Sequence, residues 1–154
     1  NNCTSDIIVI CEPDGSFLAS DVLMILNELE NYDIVFSTRT YSKMKNYLKF
    51  GNKIYGFFIS ILFGGPLLTD VGSSLRAFKR NSVKNIIKNL KSDGPELQIE
   101  LTIDILKSNF KIIEKKITYK DRIGSSSYTG NFYSSSKVLI KFSKVVILKF
   151  FKFF

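Results

Sequence analysis

Four β-branched residues in succession, Ile7-Ile8-Val9-Ile10, lead into Cys11-Glu12-Pro13-Asp14-Gly15 near the start of the chain. An apolar run of this length closed by Pro and Gly reads as a short strand buried on both faces, as inside a parallel sheet. Glu12 and Asp14 stand two apart, so in extended backbone they point the same way. In an open α/β sheet ligands bind beyond the carboxyl ends of the strands. Two carboxylates converging there suit a hard divalent cation that completes its shell with water or phosphate oxygens. Taken alone, Glu-Pro-Asp-Gly reads first as an ordinary turn, with Pro presetting φ and Gly supplying a positive one.

The following residues extend the pattern. Phe17, Leu18, Val22, Leu23, Ile25, Leu26 and Leu29 recur at helical spacing with Ser16 as the N-cap, and Asp33-Ile34-Val35-Phe36-Ser37 reads as the next strand. Strand, helix, strand predicts a right-handed βαβ unit in a parallel sheet. A lysine-rich flexible stretch over 43–50 precedes a helix over about 52–63. Tyr55 to Leu68 is apolar but broken by Gly56, Gly64, Gly65 and Pro66, too short to span a bilayer, and reads as a buried helix. Val83, Ile86, Ile87 and Leu90 mark another helix, and 110–119 a strand.

Charge is distributed unevenly. Residues 1–42 carry seven acids and one base, while residues 43–154 carry 21 bases and seven acids, within an overall charge of +8. A cation site beside a surface that meets phosphates or an anionic membrane fits this division, and nucleic acid is the other partner that charge admits. The two cysteines form neither a zinc pattern nor a disulfide framework, which makes a reducing cytosolic compartment the default. There is no histidine, which rules out Ser-His-Asp and Cys-His catalysis, so acid–base work falls to carboxylates.

The tail has lysines at 137, 141, 144, 149 and 152, confined as a helix to an arc on the order of 140°, with Val, Leu, Ile and Phe over the rest. That pattern describes a helix lying in a membrane interface with its lysines at the headgroups.

Three further stretches carry a resemblance. Ser37-Thr38-Arg39 ends the second strand. Asp70-Val71-Gly72-Ser73-Ser74-Leu75-Arg76-Ala77-Phe78-Lys79-Arg80 sets an acid and small residues before an arginine, with backbone amides and hydroxyls suited to cradle a phosphate. Arg122-Ile123-Gly124-Ser125-Ser126-Ser127 is a Gly-Ser loop flanked by arginine. In this order, behind Glu12 and Asp14, they resemble the second half of a family 2 glycosyltransferase domain, of the subgroup of dolichol-phosphate mannosyltransferases and polyprenyl-phosphate sugar transferases. This sequence has Leu75 where an aromatic is usual, Val71-Gly72 for a commoner Ser/Thr pair, and Glu12 where Asp is usual.

The resemblance implies an α/β fold with a mostly parallel sheet flanked by helices, the second half of a GT-A nucleotide-diphospho-sugar transferase domain. Residues 1–130 would form this partial catalytic domain and 131–154 the interface helix or the start of a membrane region. The chain has no initiating Met, and residues 1–6 cannot supply neighbours to a buried strand, so a missing N-terminal nucleotide-binding half is expected. Leu97 to Ile105 alternates as a strand would, whereas the resemblance argues for a helix. As a helix it sets Glu96, Glu100 and Asp104 in one row, with Glu100 at the place of the active-site acid.

The implied reaction is inverting, metal-dependent transfer of a sugar from a nucleotide sugar to a polyprenyl phosphate, or to another lipid or glycan acceptor, at the cytoplasmic face of a membrane. Asp14 would hold Mg²⁺ or Mn²⁺, with Glu12 binding directly or through water. Asp70 and Arg76 would position the acceptor, with Asp70 or Glu100 as base for a hydroxyl acceptor. Arg39, Arg122, Ser125 and Ser126 would contact phosphates. A non-catalytic, membrane-associated relative is the alternative reading, and a nucleic-acid-binding domain a weaker one that has charge but no recognised motif.

Overall fold

The computed structural model describes residues 4–40, 46–120, 123–124 and 132–151, the side chains of Leu48 and Phe132 excepted. The elements are β1 (Ile7–Ile10), α1 (Ala19–Glu28), β2 (Ile34–Arg39), α2 (Asn46–Phe63), β3 (Arg76–Lys79), α3 (Arg80–Asn89), α4 (Leu97–Leu106), β4 (Ile112–Ile117) and α5 (Phe132–Phe150). The protein is α/β.

The four strands form one sheet in the order β1-β3-β2-β4. β3 runs against both neighbours, with Ile8 opposite Phe78 and Val35 opposite Ala77, while β2 and β4 are parallel, with Ile34 beside Ile112. The sheet is therefore mixed, which corrects the expected mostly parallel arrangement. β1 and β2 do share a direction, as a βαβ pattern requires, but β3 lies between them. β3 was not foreseen: it is four residues long and charged at both ends.

Alternation along the strands divides the core in two. Ile34, Phe36 and Phe78 face a large cluster with Ile59 of α2, Val83 of α3, Ile99, Ile103 and Ile105 of α4, and Val145 and Val146 of α5. Val35 and Ala77 face the other way, onto Ile25 of α1 and Leu29 at its C-cap. One helix covers one face and four cover the other.

Several local expectations change. β1 is not buried on both faces: Ile7 and Ile10 are exposed, and among the described residues β1 pairs only with β3. Ser16 does not cap α1, whose N-cap is Leu18 without a side-chain bond; Ser16 bonds Asp14 instead. α2 starts at Asn46, inside the stretch read as flexible, and its outer face is exposed rather than buried. It ends where Gly64 and Gly65 take left-handed φ of 83° and 88°. Residues 97–106 are helical, as the resemblance implied.

Candidate functional site

β1, β2 and β4 run the same way, so their carboxyl ends share one edge of the sheet, and β3 starts from that edge. Glu12 and Asp14 follow β1, Arg39 ends β2, the 69–76 loop leads into β3, and Tyr119 lies two residues past β4. Four stretches far apart in sequence thus meet where α/β sheets bind ligands.

Backbone bonds draw the acidic turn toward the segment after β4. The Lys120 amide donates to the Ser16 carbonyl at 3.0 Å, and the Ile123 amide to the Asp14 carbonyl at 2.8 Å. Gly15 takes φ of 74°, and a Cβ there would stand 3.0 Å from Ile123 Cδ1. The Asp14 carboxylate is oriented by its own turn: Oδ1 accepts from the Ser16 amide at 3.0 Å and the Ser16 hydroxyl at 2.6 Å. Glu12 and Asp14 are both half-buried between exposed neighbours, consistent with a shared face. Arg122, Ser125 and Ser126 lie outside the described residues.

Aromatic contacts continue the path. Phe17 meets Tyr119 edge to face with centroids 6.2 Å apart, and the Arg39 guanidinium lies 5.2 Å above the Tyr119 ring. Arg39 then grips Asp70 with both prongs, Nε to Oδ2 at 2.7 Å and Nη2 to Oδ1 at 2.8 Å, and its amide also donates to Oδ2. Burial works to lower the Arg39 pKa, but hydrogen bonding and charge from Asp70 outweigh it and raise the pKa above the ordinary value.

The 69–76 loop is fixed from three sides. Glu114 of β4 accepts from the amides of Thr69 and Asp70 at 2.9 and 3.0 Å and from the Thr69 hydroxyl at 2.7 Å. Ser37 and Ser73 share a hydrogen between hydroxyls 2.6 Å apart. Gly72 is closed in: a Cβ there would lie 3.0 Å from Asn52 Oδ1 and 3.1 Å from Arg39 Nη2. α2 therefore forms one wall of the site, through Asn52.

Arg76 is 1% exposed and lies inside this loop rather than on its surface. It donates to the carbonyls of Ser73, Val71 and Gln98 and to the Thr102 hydroxyl, and its guanidinium stands 4.9 Å over the Phe36 ring. Burial lowers its pKa to about 10, Asp70 counteracting and Arg39 adding to the fall, so it stays charged at neutral pH.

Glu100 is placed elsewhere. Thr102 of α4 turns to Arg76, and Glu100, two residues away, points to the opposite side of the helix. There its carboxylate accepts from the amides of Lys91 and Ser92 and pairs with Lys149 of α5 at 3.2 Å. Lys149 also reaches Asp104 at 2.8 Å, and Lys141 reaches Glu96 at 3.5 Å. The acidic row of α4 is met by lysines of α5.

The structure thus brings together Glu12, Asp14, Arg39, Asp70 and Arg76 along one edge and sets Glu100 apart. Sequence reasoning gave Tyr119, Asn52 and Glu114 no role. Tyr119 had a signal, its place just past a strand predicted to share the edge. Among the described residues no group of three or more Asp, Glu, His or Cys gathers as a metal cluster.

No protein-family model matches the chain, and no solved structure matches it. A curated protein of Methanocaldococcus jannaschii, described as uncharacterized, is 34% identical over 142 residues, which cover 88% of this chain and 58% of the relative. The chain therefore spans less than two thirds of that relative's length.

Proposed function

We propose that this chain is the acceptor-side part of a GT-A glycosyltransferase, moving a sugar from a nucleotide sugar to a polyprenyl phosphate. The observation that carries the reading is the convergence of Glu12, Asp14, Arg39 and the Asp70–Arg76 loop at one carboxyl edge of the sheet. In this reading the nucleotide-binding half adjoins the outer edge of β1.

Two half-buried carboxylates fit a hard cation that takes its remaining ligands from water and a diphosphate, so Asp14, with Glu12, would hold Mg²⁺ or Mn²⁺. When bound, the ion would neutralise charge developing on the leaving diphosphate. Ser16 keeps the Asp14 carboxylate oriented for that role. Arg39, Asp70 and Arg76 set the shape of the acceptor loop, which Glu114 braces through the Thr69 and Asp70 amides, so that two guanidinium groups there offset two carboxylates. Arg122, Ser125 and Ser126 would close over the donor.

In the reaction, an acceptor phosphate oxygen forms a bond to the anomeric carbon. The bond to the nucleoside diphosphate breaks and the leaving group keeps the electron pair, with inversion. A phosphate is already ionised near neutral pH and needs no base. The positions of the acids favour this acceptor over a hydroxyl, because Asp70 is held by Arg39 and Glu100 by Lys149. Those same commitments are the observation that favours the second reading, a non-catalytic relative.

Manganese resonance spectroscopy separates the two readings. Adding a nucleoside diphosphate and Mn²⁺ to the reading frame that carries this chain should remove more of the free-ion signal than the nucleotide removes by itself, and Asp14→Asn should return it to the nucleotide-only level. A wild-type signal equal to the nucleotide-only level would refute the metal-dependent reading.

A further inference from the structure

Arg39 and Tyr119 reach the same side of the sheet edge from neighbouring strands. Val35 and Ile117 face α1, and alternation carries that face on to Arg39 in β2 and to Tyr119 just past β4. The two strands stay paired up to Arg39 and Ile117, so the Tyr119 ring emerges beside the guanidinium, which stands 5.2 Å above it.

Two partners therefore fix Arg39 in different ways. Asp70 holds one edge of the guanidinium through Nε and Nη2, and Tyr119 covers one face. A fork alone leaves the plane free to rock about the line between the two groups, and a ring against it removes that freedom. A guanidinium has more N–H donors than one carboxylate can take, and the others lie on its two terminal nitrogens. Nη2 borders Gly72, where a Cβ would stand 3.1 Å from it and 3.0 Å from Asn52 Oδ1. The missing Cβ leaves a notch between a guanidinium and a carboxamide. The Arg39 side chain keeps 13% exposure, enough to meet a ligand there.

Tyr119 does not belong to the 69–76 loop. Its ring is seated from the other side of the site: Phe17 meets it edge to face, and the neighbouring Lys120 amide donates to the Ser16 carbonyl. Burial works against the charge of Arg39, while Asp70 and then Tyr119 favour it.

We propose that Tyr119 is a positioning residue, whose ring sets the plane of the Arg39 guanidinium so that donors not taken by Asp70 face the Gly72 notch and a phosphate monoester bound there. This deepens the transferase reading, on which it rests for the identity of that phosphate as the acceptor. A guanidinium held in one plane matches two oxygens of a phosphate at once. A hydroxyl acceptor offers one oxygen and gains nothing from the fixed plane.

The test is calorimetric titration of the reading frame that carries this chain with a short, water-soluble polyprenyl phosphate and with inorganic phosphate. Manganese binding in the presence of a nucleoside diphosphate is measured beside it. The wild type should bind both phosphates. Tyr119→Leu and Tyr119→Met, which remove the ring in two shapes, should each weaken both about tenfold, whereas Tyr119→Phe should stay within about threefold. Manganese binding should be unchanged in all three, because Ser16 orients Asp14. In an Arg39→Lys background, which lacks the fork, Tyr119→Leu should cost no further affinity, since both residues act through one group. In steady state Tyr119→Leu should raise the acceptor KM about tenfold and leave kcat alone.

Wild-type phosphate affinity in Tyr119→Leu and Tyr119→Met overturns the proposal. So does an equal loss in Tyr119→Phe, a parallel loss of manganese binding, or a full cost in the Arg39→Lys background. A wild type that binds neither phosphate overturns it too, and so does loss of folding in both ring-deleting variants, which would mark a structural residue. Ring-dependent phosphate binding without sugar transfer sinks the transferase reading alone. Transfer with an acceptor KM indifferent to the ring sinks the positioning role alone.

Discussion

Arg39 and Asp70 form a two-pronged ion pair, at 2.7 and 2.8 Å, that ties the end of β2 to the loop ahead of β3. The Asp70 side chain is fully buried and that of Arg39 nearly so. Removing one partner strands the other charge where water cannot reach it. Asp70→Asn should cost about 3 kcal/mol in urea unfolding. Arg39→Lys should cost less but still weaken the pair, because an ammonium cannot reproduce the fork. An unchanged midpoint for Asp70→Asn would contradict the pair's structural role.

Two glycines of α2 should respond to alanine with opposite signs. A Cβ on Gly56 would run into the Leu68 carbonyl oxygen, so backbone would have to move, whereas a Cβ on Gly51 meets nothing within 4 Å. Gly51→Ala should raise stability by about 0.8 kcal/mol, the ordinary helix preference. Gly56→Ala should lower it by about 2 kcal/mol despite that preference, by overpacking the contact that seats the 68–76 loop. Thermal unfolding of the two variants side by side reads both signs, and matching shifts would refute the close approach.

Acid should destabilise the protein partly through Glu100. Burial alone would raise its pKa, but bonds from the Ser92 hydroxyl and amide, the Lys91 amide and Lys149 outweigh burial and hold it below the ordinary value of 4.5. On acidification the unfolded chain takes up this proton first. The stability from Glu100 is therefore fully present above the unfolded pKa and lost as pH falls through the lower folded one. Urea midpoints between about pH 6 and about pH 3 should fall more steeply in the wild type than in Glu100→Gln. Equal slopes would show that Glu100 keeps an ordinary pKa.

β1 and β2 were legible because their apolar runs declare a strand, and β4 because β-branched Ile112, Ile113, Ile117 and Thr118 flank its charged middle. α4 was ambiguous for a physical reason: Ile99, Leu101, Ile103 and Ile105 are all buried, since the helix is covered on several sides, and a covered helix leaves no amphipathic period. β3 escaped notice because Arg76 and Lys79 bracket only two apolar residues, and Arg76 is buried only because distant carbonyls receive it. The outer face of α2 was misread because an apolar helix was taken to be a covered one. At the site, the strand–helix–strand pattern was enough to bring Glu12, Asp14 and Arg39 to one edge, whereas Asp70 was linked to them only by the resemblance, because β3 was not foreseen. The surroundings of Arg76 and Glu100 depended on Thr102 and Lys149, partners that no local pattern announces.

The most direct test of the central claim is sugar transfer by the reading frame that carries this chain. It would be measured from several nucleotide sugars to a polyprenyl phosphate, with Mn²⁺ or Mg²⁺ and with chelator, for wild type and Asp14→Asn. The account predicts transfer that requires the metal and falls by about a hundredfold or more in Asp14→Asn. Transfer indifferent to chelator and to Asp14→Asn, or none at all from a folded protein, would contradict it.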